Sequence, residues 1–372
     1  RKVARHAPEH QYKLQRQLIK SLPFTLTPDQ IKVLDEIKTD MESQSPMARL
    51  LQGDVGSGKT LVAFIAALGI IESGGQAAFM APTELLARQH AENAAKLLEP
   101  LGVRLAFLSG NVKNSQRKPL LEALKNGEID LIIGTHALFT GNVEFRNLQF
   151  VIVDEQHKFG VLQRLALLNK GDTPDLLLMT ATPIPRTLTL TLFGDMDVSI
   201  IKTMPEGRKP IVTHLSVIDN EAKVYQAVLA EIERGHQAYF VYPRIQDSDS
   251  ASDLKNAEGM YEYLQKKIFP GFRLGLIHSK LPEEEKIRTM DHFSSGRINI
   301  LVSTSVVEVG VDIPNATCMV IEHAEHFGLS GLHQLRGRVG RGPAQSYAFL
   351  VYSTELSDIG KMRLKTMMNF ND

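Results

Sequence analysis

The stretch Leu50-Leu51-Gln52-Gly53-Asp54-Val55-Gly56-Ser57-Gly58-Lys59-Thr60 constrains this chain more than any other. An apolar run enters a glycine-rich turn, and a second apolar run, 61–71, leaves it with the length of a helix. The spacing is G-x-x-x-x-G-K-T. Its backbone N–H groups, from Gly53 through Gly58, can close around phosphate oxygens at the start of a helix. Lys59 then reaches the outer phosphates and Thr60 supplies a hydroxyl for Mg²⁺. A glycine-rich turn without a ligand is the alternative, and the strand-turn-helix context argues against it. The reading is a site for ATP with Mg²⁺.

Such a loop belongs to an α/β domain, and the rest of the chain alternates accordingly. Short apolar runs at 77–81, 104–108, 131–134, 150–153 and 176–180 are predicted strands. Helical patterns fall between them at 82–98 and 120–126. Continuous apolar strands mean a mainly parallel sheet covered on both faces, with ligands beyond the carboxyl ends of the strands. Ahead of the loop, Thr27 is a good N-cap with Pro28 at the first helical position, so a helix is predicted over 28–41. Gln30, in its first turn, has an amide that could read adenine. Residues 1–21 carry six basic side chains against Glu9 and read as a basic helical connector.

A second α/β set follows a break at 202–210, with strands at 237–242, 273–277, 298–303, 318–321 and 347–352 and helices at 221–234, 257–267 and 282–293. The expected organisation is a first α/β domain over 22–202, a linker over 203–213 and a second over 214–356. Residues 357–372 would begin a further element. With 372 residues, about two domains are expected. The single cysteine, Cys318, sits in an apolar run and excludes a disulfide; a reducing, cytoplasmic home follows. No apolar run approaches the roughly 18 residues of a membrane span. The chain begins at Arg1 without Met, which suggests a fragment. Its 42 basic and 42 acidic side chains cancel, so a polyanion would have to be held by local grooves.

Chemistry concentrates at strand ends. Val153 runs into Asp154 and Glu155, an acid pair that is costly to bury unless a cation compensates. Asp154 can hold Mg²⁺ and Glu155 can orient and deprotonate the attacking water. His157 reads as a polar residue at the edge of that site. Small hydroxyl residues end three more strands, at Thr83, Thr135 and Thr182, and suit a polynucleotide backbone as well as they suit capping. In the second half, Arg336, Arg338 and Arg341 cluster around two glycines. Arginines there can stabilise the charge on a phosphoryl group in flight. Phosphate-backbone binding or a solvated helix face is the plain alternative. With the phosphate loop in one domain and the arginines in another, a site completed on closure is expected.

The ordered strings GDVGSGKT, APTELLARQH, GTHAL, DEQH, TATPIPRT, STSVVEVGVDIPNA and QLRGRVGRG resemble the superfamily 2 helicases across nearly the whole chain. Within them, DEQHKFGVLQR, TATPIPRTLTLT and 333–342 resemble the RecG group of bacterial branched-DNA helicases, and LPFTLTPDQ resembles its adenine-side glutamine motif. The related transcription-repair coupling translocases typically carry Glu where Gln156 stands and a bulkier residue in place of Ser57. The resemblance implies two tandem RecA-like domains and ATP hydrolysis that drives movement on duplex DNA. It also implies remodelling of stalled forks and Holliday junctions in repair and recombination; nothing in the sequence demands more than a monomer. It puts nucleotide roles on Gln30, Gly56, Gly58, Lys59, Thr60, Asp154 and Glu155. Gln334, Arg338, Arg341, Gly310 and Asp312 would complete the site. The DNA-facing set would be Thr83, Arg88, Thr135, His136, Arg244, His278 and Thr304. The group's N-terminal wedge domain and C-terminal coupling element would lie outside this chain. A coupling-type translocase, a DExH RNA helicase and a non-hydrolysing, nucleotide-switched DNA-binding module are the other readings.

Overall fold

A computed structural model describes residues 12–112, 114–155, 170–181, 196–203, 209–243, 258–304, 313–354, 356 and 358–369. The chain divides into two compact units, Arg1–Pro205 and Glu206–Asp372.

The first unit is a parallel sheet in the order β3-β4-β2-β5-β6-β1-β7. Its strands are β1 (Ala48–Gly53), β2 (Gln76–Met80), β3 (Leu105–Leu108), β4 (Leu131–Gly134), β5 (Leu148–Val153), β6 (Asp175–Thr180) and β7 (Asp197–Ile201). Register aligns their carboxyl ends: Gln52 lies beside Thr180, Val153 beside both Leu178 and Met80, and Gly134 beside both Met80 and Leu108. One edge of the sheet therefore collects the residues just after β1, β5, β2, β4 and β3.

Helices α1 (Lys13–Ser21), α2 (Pro28–Met41), α3 (Lys59–Glu72), α4 (Glu84–Leu98) and α5 (Asn114–Asn126) cover this sheet. In α3 every residue from Val62 to Ile70 is buried. Each fully buried Leu, Ile or Phe there contributes ~1.5–3 kcal/mol. Helix α1 packs on α3 through one face. Leu18 is buried, Gln15 donates to the Ile65 carbonyl at 2.8 Å, and the Glu72 carboxylate accepts from the N–H groups of Lys13 and Leu14. Arg49, buried in β1, is balanced by Asp40 at 2.7 Å and Glu36 at 3.2 Å, both on α2. It also donates to the Ser199 hydroxyl of β7 at 2.7 Å.

The second unit is also a parallel sheet, in the order β10-β11-β9-β12-β13-β8. Its strands are β8 (Val212–Val217), β9 (Gln237–Val241), β10 (Leu274–Ile277), β11 (Ile300–Ser303), β12 (Ala316–Ile321) and β13 (Tyr347–Tyr352). Helices α6 (Glu221–Glu233), α7 (Glu283–Ser294), α8 (Leu329–Arg336) and α9 (Asp358–Asn369) accompany them. Burial drives the Cys318 thiol up to about 12, so it is core filler. Among the described residues no helix is long and apolar enough to cross a membrane.

Two strands depart from the sequence pattern. β7 and β8 are edge strands that mix Ser, Thr, His and Asp with apolar residues, because one side of an edge needs no second neighbour. β8 takes in Val212 and Thr213, which the pattern assigned to the linker.

Both sheets share one device at their amino ends. Gln76 opens β2 and its side-chain amide donates to the carbonyls of Leu124 and Ile129, while its oxygen accepts from the Asn147 N–H. Gln237 opens β9 and donates to the carbonyls of Phe293 and Ile298, while its oxygen accepts from the Asn315 amide. Each glutamine locks a helix end to two strand starts with buried polar groups, a costly arrangement if left half made.

Candidate nucleotide site

The loop after β1 is built as its sequence demands. Gly56 and Gly58 take φ of 85° and 89°, which side-chain-bearing residues rarely adopt. A Cβ on Gly58 would collide with Gln30 Nε2. Helix α3 starts at Lys59 behind Gly58, with no side chain capping its amino end. The Lys59 ammonium is buried and donates to the carbonyls of Gly53 at 2.5 Å and Asp54 at 2.9 Å. The Ser57 hydroxyl is buried in the same loop with no hydrogen-bond partner among the described residues.

Gln30 ties α2 to this loop. Thr27 accepts from the Gln30 N–H, and Gln30 Oε1 accepts from the Thr27 N–H at 2.9 Å, forming a capping box. Gln30 Nε2 donates to the Ser57 carbonyl at 2.8 Å. Both ends of the amide are engaged with protein, so in this structure Gln30 positions the loop.

Asp154 stands one residue past β5, with β6 between it and β1. Its N–H donates to the Met80 carbonyl at 2.8 Å, and its Oδ2 meets His90 Nε2 at 2.8 Å. Burial pushes the Asp154 carboxyl up. The hydrogen bond and charge of His90, the Lys59 ammonium and the Glu155 N–H outweigh that and hold it below the usual carboxylate range. Glu155 is buried with φ of 48°, a left-handed conformation in a residue with a side chain, of the kind that concentrates at working sites.

His90 is the residue sequence reasoning missed. It lies on the buried face of α4, its ring 4.7 Å from that of Phe79, and it fixes the Asp154 carboxylate. The available signal was its place in the string APTELLARQH, where helical spacing makes it look like core.

The other strand ends divide. The Thr83 hydroxyl accepts from the Leu86 N–H and caps α4. Arg88 is paired with Glu84 at 2.7 Å and lies over the Phe107 ring. Thr135, after β4, has a buried hydroxyl without a partner among the described residues, as does Ser109 after β3, which the sequence pattern did not single out. His136 beside it is exposed.

In the second unit His278 follows β10 and Thr304 follows β11, both buried. Burial lowers the His278 imidazole; Glu258 opposes that, and Lys286 and Lys280 add to it. Gln334 sits on α8, and Arg341 donates to the Gly337 carbonyl at 3.1 Å. Arg338 is buried. Arg336 is turned elsewhere: it is buried and donates to the Met367 carbonyl of α9 at 3.3 Å. His157, Thr182, Arg244, Gly310 and Asp312 lie outside the described residues.

Two protein-family profiles cover most of the chain: DEAD/DEAH box helicase over residues 27–191 and helicase conserved C-terminal domain over residues 220–343. The chain is 59% identical over 361 residues to the ATP-dependent DNA helicase RecG of Treponema pallidum, covering 95% of this chain and 52% of that protein. To the RecG of Borreliella burgdorferi it is 53% identical over 350 residues, covering 94% and 51%. The solved structure of RecG bound to a three-way DNA junction matches with a TM-score of 0.83 at 46% identity, covering 99% of this chain and 48% of that one. The chain thus spans about half the length of the curated relatives it matches.

Proposed function

We propose that this chain is the motor of an ATP-dependent DNA helicase that moves on duplex DNA and remodels branched DNA in repair and recombination, within the cytoplasm. The observation that carries it is at the carboxyl edge of the first sheet. There Asp154 is kept charged beside Lys59, in front of a glycine loop whose backbone admits no side chain at Gly58.

The loop fits a nucleotide polyphosphate: a buried Ser57 hydroxyl, without a partner among the described residues, and an uncapped helix start face where anions are favoured. Lys59 exchanges its carbonyl partners for phosphate oxygens. Thr60 and Asp154 would hold Mg²⁺, which would neutralise phosphate charge. Glu155 holds the attacking water and takes its proton, and His90 keeps Asp154 oriented. Gln334, Arg338 and Arg341, with Gly310 and Asp312, attend the charge that develops on the phosphoryl group.

The nucleic-acid contacts fall to Thr135 and His136, and with them Thr83, Arg88, Arg244, His278 and Thr304. Similarity to RecG, whose structure holds a three-way junction, supports DNA as the partner.

Steady-state ATP hydrolysis without nucleic acid, with linear duplex, with a synthetic fork and with RNA tests the reading. Faster hydrolysis with fork and duplex is expected. Acceleration by RNA alone, or one rate under all four conditions, overturns it.

A further inference from the structure

Between β12 and α8 the chain makes a tight turn, and two imidazoles and a carboxylate converge on it. Glu325 lies in a single 3₁₀ turn, Ala324–His326, with His323 immediately before it. His323 takes φ of 49° and ψ of 50°, a left-handed residue that reverses the chain. Its Nδ1 stands 3.5 Å from Glu325 Oε1, and His326 Nε2 stands 3.9 Å from the same oxygen.

These separations are long for good hydrogen bonds. They approach the spacing of neighbouring ligands on one metal ion: with bonds near 2.0–2.2 Å, tetrahedral donors lie roughly 3.4 Å apart. The donor set of two imidazoles and one carboxylate is that of a zinc site with an open fourth position.

The carboxylate is prepared for such a role. The Glu325 side chain is only 13% exposed, its Oε1 accepts from the Ser353 N–H at 3.4 Å, and its buried Oε2 has no partner among the described residues. Arg363, the nearby cation on α9, directs its guanidinium to the backbone carbonyls of Glu325 and Phe327. Among the described residues the two histidines are the only basic side chains paired with this acid. The histidines are 43% and 59% exposed, so an ion can reach them from solvent.

We infer that His323, Glu325 and His326 bind a divalent transition-metal ion, Zn²⁺ by its ligand preference, and that the ion clasps the turn leading into α8. This site is separate from the proposed nucleotide site and does not depend on the motor reading. Mg²⁺, which favours oxygen donors, would not compete for it.

Equilibrium dialysis of the whole chain against Zn²⁺, with saturating Mg²⁺ present, reads the site directly. One Zn²⁺ per chain is expected, with a higher unfolding temperature that a chelator reverses. His326→Ala changes an exposed side chain and should leave the metal-free unfolding temperature in place while weakening Zn²⁺ binding at least about tenfold. Glu325→Gln should do the same, and His292→Ala, an unrelated histidine on α7, should not. No stoichiometric Zn²⁺ binding, or binding unmoved by His326→Ala, overturns the assignment.

Discussion

Asp154 and Glu322 occupy equivalent places in the two units. Each directly follows the strand beside the glutamine-led strand, and each donates its N–H to that neighbour's last carbonyl, Met80 at 2.8 Å and Val241 at 2.9 Å. Their electrostatics are opposite. Asp154 is held below the usual carboxylate range because His90, Lys59 and the Glu155 N–H outweigh its burial. Glu322 is pushed up to about 7, first by burial and then by Glu221 and Glu325, against the Tyr225 hydroxyl. The parallel sheet supplies a strand end in both units; the neighbours decide whether an acid there can be a permanent anion. Among the described residues, only the first unit sets basic side chains and a glycine-rich loop about its acid.

The comparison breaks first on turnover. Asp154→Asn and Glu155→Gln are each expected to reduce steady-state ATP hydrolysis by about 10²–10⁴-fold. Nucleotide binding, read by a fluorescent analogue, should survive in Glu155→Gln. Glu322→Gln, at the matching place, should keep a rate close to the parent's. Equal losses at Asp154 and Glu322 would mean that position, not neighbours, sets the role.

The arginines separate on the same measurement. Arg341→Ala is expected to slow hydrolysis by roughly 10³-fold or more with nucleotide affinity kept. Arg336→Ala removes a donor to the buried Met367 carbonyl and should instead lower stability by about 1–3 kcal/mol in denaturant unfolding. A large rate loss at Arg336 without a stability change would reverse that division.

Much of this was legible in the sequence, for physical reasons that also explain the failures. The loop is legible because phosphate contact through backbone demands glycine at fixed spacing. Helix α2 is legible because Thr27 and Pro28 mark its start by local chemistry alone. His90 was not, since a histidine on the inner face of α4 looks like core until the strand carrying Asp154 is laid beside it. Edge strands β7 and β8 escaped because half-covered strands keep polar residues. Arg336 looked like its neighbours because sequence does not tell which face of a short helix turns toward α9. The left-handed backbone of Glu155 left no mark in composition or spacing.

The shared amino-end device offers a symmetric test. Gln76→Ala and Gln237→Ala each strand two buried carbonyls, at Leu124 and Ile129 or at Phe293 and Ile298. Each should cost about 1–3 kcal/mol in its own unit, since an unsatisfied buried polar group costs that much. Similar losses would confirm that the scaffold is repeated even where the chemistry is not. A loss at only one site would show that the resemblance of the two clasps is geometric alone.

The smallest effect isolates Glu322 itself. Its folded value, near 7, lies above its ordinary 4.5. A raised acid contributes stability that is fully present below pH 4.5 and is lost as pH rises through 7, because the folded state then has to carry a buried anion. Glu322→Gln removes that anion without changing shape. In chelator-treated protein, the variant should match the parent near pH 4.5 and exceed it by about 2–3 kcal/mol at pH 8, because each tenfold change in proton affinity is worth ~1.4 kcal/mol. The unfolding midpoint of both proteins across that range is the quantity to follow. Converging curves at low pH with a gap that opens toward pH 8 would fix the second unit's strand-end acid as a neutral group. A gap that is constant with pH would mean that Glu322 binds its proton equally well in the folded and unfolded chain, and the contrast with Asp154 would then lie in partners alone.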